Sequence, residues 1–316
     1  MKTKVNKEAD MMIGKICGTG SGIPVKIMDN DDLSNMVDTN DAWIRERTGV
    51  EKRHIAESES TVSMAVEAGR QALAQTGIRP EELDMIVVST MSPDAVLPCT
   101  ACEVQKAIGA EGAVCFDLQA ACTGFIFAYN TAQAYIQSNM CRTVLLIGSE
   151  RLSRLVDWTD RGTCILFGDG AGAAVLKAAE GRAYLPAFHS DGKRGEALTC
   201  DRYIHMDGRA VFQFAVTRVP EVIREVLTKN ELLMEDVDYF VLHQANRRIV
   251  EAVAKRLRQP IEKFPMNLQE YGNTSSASIP ILLDEMNRSG KLKKGQKLVV
   301  AGFGAGLSWG ASIVEW

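Results

Sequence analysis

"RPEELDMIVVSTMS" (79–92) and "LMEDVDYFVLHQAN" (233–246) follow one plan: an acidic turn, an apolar strand, then polar residues. Laying the chain against itself at a shift of about 150 residues yields further pairs, the mark of an internal repeat. "DLQAACTG" (117–124) parallels "NLQEYGNT" (267–274), and "CRTVLLIGSE" (141–150) parallels "GQKLVVAGFG" (295–304). "AGAAVL" (171–176) parallels "WGASIV" (309–314). The segments keep their order, so the chain reads as two copies of one α/β unit, 13–180 and 181–316.

Each copy alternates helix and strand. "SMAVEAGRQALAQTG" (63–77) places apolar residues at helical spacing and stops at a glycine. "DMIVVS" follows as a continuous β-branched run, the pattern of a strand buried on both faces. In the second copy "VPEVIREVLTKN" precedes "DYFVLH". This alternation predicts parallel-type sheets covered by helices, with ligands at the carboxyl ends of strands. Cys122 follows the strand "AVCFDL", His243 ends "DYFVL", and Asn273 falls in the turn matched to that of Cys122. Packed about a pseudo-two-fold axis, the halves would bring all three to one cleft.

Bulk properties exclude several classes. An apolar fraction of 46% and a charged fraction of 24% over 316 residues describe a soluble globular protein. A net charge of −4 gives no general attraction to nucleic acid or anionic membrane, so an anionic partner must meet a local basic patch. The opening "MKTKVNKEADMM" is polar and lacks a signal-peptide core, so residues 1–12 are expected to form a frayed tail. "LVVAGFGAGLSWGASIV" (298–314) is short for a membrane span and is broken by glycines, so it reads as strand and turn. Eight cysteines without an export signal suggest reduced thiols and a cytoplasmic location. Cys99 and Cys102 form one CxxC after Pro98, with no second ligand pair to complete a zinc site. No metal is expected. A thiol-based metal or redox module built on this pair is the non-enzyme alternative.

A random cysteine is by default an inert core residue. Cys122 differs in position, because it precedes "TGFIFAYNTAQAYIQS", a helix whose N-terminus points at the sulfur. Free N–H groups and the helix dipole there favour a thiolate and predict a lowered thiol pKa. His243 and Asn273 taken singly read as a hydrogen-bonded structural histidine and a loop asparagine.

Together with the longer motifs they say more. Cys122 in "DLQAACTGF", "HQANRRI" (243–249), "GNTSSAS" (272–278) and "GFGAGLSWGA" (302–311) resemble β-ketoacyl-acyl carrier protein synthase III, a thiolase-fold family. "IGKICGTGSGIP" (13–24), "DTNDAWIRERTGVEKRHIA" (38–56), "TDRGTCILFGDGAGA" (159–173) and "HMDGRAVFQFAV" (205–216) extend the likeness over nearly the whole chain. The resemblance implies a five-layered αβαβα fold and a homodimer. It implies condensation of a primer acyl-CoA with malonyl-acyl carrier protein, giving 3-oxoacyl carrier protein, CoA and CO2. Cys122 would carry the acyl group as a thioester, with the backbone N–H groups of Cys122 and Ala305 as oxyanion hole. His243 and Asn273 would donate to the malonyl thioester oxygen as CO2 leaves. A histidine in place of Asn273 would mark an elongating synthase, and a second cysteine in residues 302–310 a degradative thiolase. Initiation of type II fatty-acid synthesis is the leading reading; a starter-unit ketosynthase of a polyketide or secondary-metabolite pathway is the alternative.

By the same resemblance Trp43 and Arg161 would sandwich the CoA adenine, with Arg47 and Thr48 in the same motif. Gly162, Gly208, Phe212 and Asn246 would line the pantetheine channel. CoA is a substrate here, and no separate cofactor is implied. Helical spacing sets Arg248, Lys255 and Arg256 on roughly one side of "NRRIVEAVAKRLR" (246–258), a basic face suited to an acidic carrier protein. Arg248 would also face the CoA phosphates. Three positions depart from the family pattern. Leu97 stands at a gate often held by Phe, which predicts room for longer or branched primers. Gln213 replaces a lysine used in carrier docking, and Ala305 replaces a glycine whose N–H alone is needed.

Overall fold

The computed structural model describes residues 11–316. Strands β1 (Met11–Gly22), β2 (Met85–Ser89), β3 (Val114–Leu118), β4 (Thr143–Glu150) and β5 (Gly170–Gly181) form one sheet in the order β1-β5-β4-β2-β3. Strands β6 (Ala187–Ser190), β7 (Tyr239–Leu242), β8 (Lys297–Gly304) and β9 (Ser308–Glu315) form a second, ordered β7-β8-β9-β6. The expected parallel pairing is confined to one side of each sheet: β2 with the edge strand β3 and with β4, and the edge strand β7 with β8. The remaining pairs are antiparallel. Between β8 and β9 the reason is local, since Gly304 faces Ser308 across a tight turn that can only reverse the chain.

The principal helices are α1 (Asp41–Thr48), α2 (Thr61–Thr76), α3 (Thr100–Ile108), α4 (Gly124–Gln137), α5 (Gly208–Lys229), α6 (Arg247–Leu257) and α7 (Ser278–Arg288). Three buried clusters stack them into layers. Ala65, Ala68 and Leu73 of α2 and Val104 of α3 pack with Ile86, Leu145 and Val175 on the outer face of the first sheet. Val219, Ile223 and Val226 of α5 and Val250 and Val253 of α6 pack with Phe240, Val299 and Ile313 of the second. Between the sheets, Phe125 and Ile126 of α4 and Leu282 and Leu283 of α7 meet Val87 and Leu146 on one side, Val241 and Val300 on the other. A helix between two sheets must be apolar around most of its girth, as α4 is. Each such side chain contributes about 1.5–3 kcal/mol by leaving water. The stack is αβαβα.

Close approach of α2 to β1 needs glycine. A Cβ on Gly18, Gly20 or Gly22 would lie 2.3, 2.2 or 2.1 Å from the carbonyl oxygens of Ala72, Ala68 and Met64. Alternate strand residues thus accept one ridge of the helix.

The repeat is real in the fold but shifted at one segment. Ala121 (φ 45) opens the 3-10 turn Ala121–Thr123 that leads into α4; Ser275 (φ 49) opens the turn Ser275–Ala277 that leads into α7. The mate of Cys122 is therefore Ser276, where the sequence pairing puts Gly272. The sequence pairing of 117–124 with 267–274 matched two Leu-Gln dipeptides of different conformation: Leu118 ends β3, whereas Leu268 begins a short helix. Among the described residues no strand beside β7 matches β3.

Met11 and Met12 pair with Gly181 and Glu180, so the expected tail of 1–12 loses its last two residues to β1. Met1–Asp10 lie outside the described residues. No described helix is long and apolar enough to cross a membrane.

Candidate active site

A cavity of about 550 Å³ opens between the two halves, and Cys122, His243 and Asn273 all line it. Each is placed by a strand end or by the turn after one. Cys122 sits in the 3-10 turn after β3, its backbone against Gly304 at the end of β8. Burial pushes its thiol up to about 12, and a hydrogen bond from Ser275 offsets only part of this. The helix-terminal lowering expected from sequence is outweighed by desolvation in the resting site.

His243 follows β7 and is 2% exposed, with its backbone N–H bonded to Ala301 O at 2.9 Å. Its Nδ1 lies 2.7 Å from Ser278 Oγ at the start of α7. Ser278 Oγ also accepts from Gln244 N at 3.3 Å, so the serine hydrogen is free to go to Nδ1. With the serine hydrogen on Nδ1, the ring proton sits on Nε2. The edge of Phe303 lies against the imidazole, ring centroids 5.6 Å apart. Burial lowers the pKa of His243 to about 3, so the ring is neutral in the resting site.

Asn273 is held by its backbone: N donates to Leu166 O at 2.8 Å and O accepts from Gly168 N at 3.1 Å. Its Oδ1 accepts from Ser275 N at 2.8 Å, which fixes the amide orientation and leaves the NH2 as the cavity-facing donor. Gly304 and Ala305 border the same space. The arrangement combines a thiol, two neutral donors and strand-end backbone in a desolvated pocket. Such a set can hold a thioester and stabilise negative charge on its oxygen.

Toward the mouth the cavity is bordered by Arg47, Thr48, Gly162, Gly208, Phe212, Asn246 and Arg248. Thr48 is already engaged, its hydroxyl donating to Ile44 O and accepting from Val50 N. Asn246 caps α6 and donates from Nδ2 to Arg47 O at 3.1 Å, tying α6 to α1. The Arg161 guanidinium lies 4.9 Å from the Trp43 ring centroid and that of Arg47 5.3 Å. The pair is in direct contact, so a base entering between Trp43 and Arg161 must first move Arg161 aside. The Arg248 guanidinium lies over Phe212 at 5.3 Å.

Several residues singled out in the sequence sit elsewhere. Leu97 is 82% exposed and does not border the cavity of its own chain, so it cannot gate that cavity. Lys255 and Arg256 are exposed on α6 beside Arg248. Gln213 lies in a separate shallow depression with Lys193, Arg194 and Arg218. Cys99 and Cys102 stand at the N-terminus of α3 with sulfurs 3.4 Å apart. No group of three or more potential ligands that could hold a metal occurs among the described residues.

Sequence reasoning missed Ser275, Ser278 and Gly304, which touch the thiol, the imidazole and the Cys122 backbone, and Arg209 at the cavity. The serine run "SSAS" after Asn273 was the available signal, since hydroxyls in a buried turn must bond something.

Family models for 3-oxoacyl-[acyl-carrier-protein] synthase III match residues 116–192 and, for its C-terminal part, 227–316. The chain is 47% identical to beta-ketoacyl-[acyl-carrier-protein] synthase III of Clostridium novyi, over 96% of this chain and 98% of that one. The chain belongs to the β-ketoacyl-acyl carrier protein synthase III family. A synthase III crystal structure from Aquifex aeolicus superposes with a TM-score of 0.94 at 44% identity, covering 96% of this chain and all of that one. The priming β-ketosynthase of the R1128 polyketide pathway gives 0.93 at 34%, covering 98% of this chain and 97% of that one. Family members share the thiolase-like layering described above, and this chain is an acyltransferase by membership.

Proposed function

We propose that the protein condenses a primer acyl-CoA with malonyl-acyl carrier protein and so initiates fatty-acid synthesis. The observation that carries this is the convergence of Cys122, His243 and Asn273 on one buried cavity in a chain of this family. Cys122 attacks the acyl-CoA carbonyl; the C–S bond to CoA breaks, and the thiol proton ends on the CoA sulfur. Thioester exchanges for thioester, so this half-step is close to isoenergetic. The N–H groups of Cys122 and Ala305 hold the tetrahedral oxyanion. Malonyl thioester then loses CO2, and its enolate oxygen is held by His243 Nε2–H and the Asn273 amide. Because His243 titrates near 3, the donor is a neutral imidazole. The enolate carbon attacks the acyl-cysteine, and the released thiolate takes one proton.

Apolar residues of the cavity, among them Met91, Leu152, Ile165 and Phe167, suit an acyl chain. Arg47, Arg161 and Arg248 suit the CoA phosphates and adenine; Arg248, Lys255 and Arg256 suit an acidic carrier protein. CoA thioesters serve as substrates, with no further cofactor. The eight free cysteines fit a reducing, cytoplasmic setting. A homodimer is supported by the edge strand β3, with Val114 62% exposed, and by Val96 and Leu97, 89% and 82% exposed nearby in sequence. Leu97 keeps its proposed gate role only through such a dimer, because it does not border the cavity of its own chain. Higher identity to the Clostridium novyi and Aquifex aeolicus synthase III enzymes, 47% and 44%, than to the polyketide priming synthase, 34%, favours fatty-acid initiation over starter-unit synthesis.

Mass spectrometry of the intact protein after incubation with a panel of acyl-CoAs tests the proposal. One acyl group on Cys122 is expected, with the favoured primer giving the highest occupancy. Acylation elsewhere, or none with any acyl-CoA, overturns it.

A further inference from the structure

Glu150 closes β4 directly behind the nucleophile, 0% exposed, and the mechanism above leaves it unused. Its Oε2 is met by Ser92 Oγ at 2.6 Å, Met91 N at 3.1 Å and Thr90 Oγ1 at 3.3 Å. Its Oε1 is met by Ser276 Oγ at 2.8 Å. Ser276 is the pseudo-symmetric mate of Cys122, and its Oγ also lies 2.9 Å from Ser89 O.

These contacts bear on where a proton sits. A serine hydroxyl carries one hydrogen, and a backbone carbonyl can only accept. A proton on Glu150 Oε1 supplies both contacts with a hydrogen: Ser276 Oγ donates to Ser89 O and accepts from the carboxyl. The alternative leaves two buried acceptor oxygens facing each other 2.9 Å apart. It also leaves a buried carboxylate without a cation, since Arg151 turns its Nη2 to Ala56 O and Glu57 O.

We propose that Glu150 is a protonated positioning residue: its neutral carboxyl donates to Ser276, anchors the turn that carries Asn273, and spares the Cys122 sulfur a neighbouring negative charge. The anchoring path is short. Glu150 binds Ser276; Ser275 beside it touches the thiol and gives its N–H to Asn273 Oδ1. On the other oxygen Glu150 fixes Met91, whose sulfur lies 3.9 Å from Ser275 Oγ. Burial raises the Glu150 pKa, in agreement with a proton there, and a charge on Glu150 adds to burial in raising that of Cys122. The titratable groups facing the thiol are Glu150 and His243, and His243 is already neutral. The inference rests on Cys122 and Asn273 acting as proposed above.

Glu150→Gln tests it, because an amide reproduces a neutral acid: NH2 toward Ser276 and C=O toward Met91 and Ser92. Infrared spectroscopy should find a protonated carboxyl band in the parent that Glu150→Gln removes. Melting of Glu150→Gln at neutral pH should match or exceed the parent. The pH profile of Cys122 alkylation should be unshifted. In turnover, Glu150→Ala should slow condensation about 10- to 100-fold, more than acylation, and Glu150→Gln should recover most of that loss. Absence of the carboxyl band, a lower melting temperature, or an alkylation profile shifted to lower pH in Glu150→Gln overturns the proposal. If Glu150→Ala does not fold, the Gln variant and the infrared band still decide. Failure of the Cys122 reading is distinguishable, because it appears as missing acylation of the parent and leaves band and melting unaffected.

Discussion

Gly304 leaves no room for a side chain over the Cys122 amide. A Cβ there would stand 2.9 Å from Cys122 N and 3.1 Å from Cys122 Cβ. The end of β8 thus fixes both the backbone donor of the proposed oxyanion hole and the root of the nucleophile. Gly304→Ala should fold, since only a local shift is required, yet displace that donor. Losing one oxyanion donor costs about 2.7–4 kcal/mol, so acylation should slow roughly 10²- to 10³-fold. Pre-steady-state mass spectrometry of acyl-enzyme formation checks this; an unchanged rate would remove Cys122 N–H from the oxyanion hole.

Cys122→Ala should abolish acyl transfer. His243→Ala and Asn273→Ala should spare acyl-enzyme formation better than loss of CO2, because both donors face the second half-step. Acyl occupancy and release of labelled CO2, measured on the same variants, separate the two. Full condensation by the Cys122 variant would falsify the assignment.

His243 makes stability depend on acidity. Folded, its imidazole titrates near 3; the ordinary value is 6.5. Below 6.5 the unfolded chain therefore binds a proton that the folded chain refuses. The stability tied to the neutral ring is complete above 6.5 and is lost as pH falls toward 3, with a limiting slope of about 1.4 kcal/mol per pH unit. Glu150 acts in the opposite sense, its folded carboxyl keeping a proton that the unfolded chain releases as pH rises. His243→Gln should flatten the acid limb of the melting curve relative to the parent. Parallel limbs would place the lost stability in other groups.

The layering was legible in sequence because buried strands such as "DMIVVS" and "DYFVLH" carry it in composition. His243 was legible because it follows such a run, and Cys122 because it stands at the joint between a strand and a helix. Asn273 was found, but by a faulty alignment, since a shared Leu-Gln pair outweighed a conformational difference invisible in residue type. The raised thiol pKa escaped because the small residues of "QAACTG" say nothing of what packs over them: Gly304 comes from a strand far along the chain. Leu97 lies away from the cavity of its own chain, because a loop position in a motif does not say where its side chain points.

Arg53 offers a test of how the cavity wall is held. The side chain is fully buried, donating from Nη1 to Asn30 Oδ1 at 2.9 Å and from Nη2 to Ile165 O at 2.8 Å. Ile165 borders the cavity, so one guanidinium joins the short strand Lys52–His54 to the wall of the site. Burial lowers its pKa to about 10, still leaving it charged at neutral pH. Arg53→Met fills much of the volume but strands these acceptors and Met28 O, which Nη1 also reaches at 3.3 Å, and each buried unsatisfied group costs about 1–3 kcal/mol. Arg53→Lys should recover little, because a single ammonium cannot span two acceptors that a planar fork reaches together. Chemical denaturation should show both variants destabilised by roughly 2–5 kcal/mol. A loss under about 1 kcal/mol in Arg53→Met would mean that water or a relaxed backbone satisfies Ile165 O without the arginine.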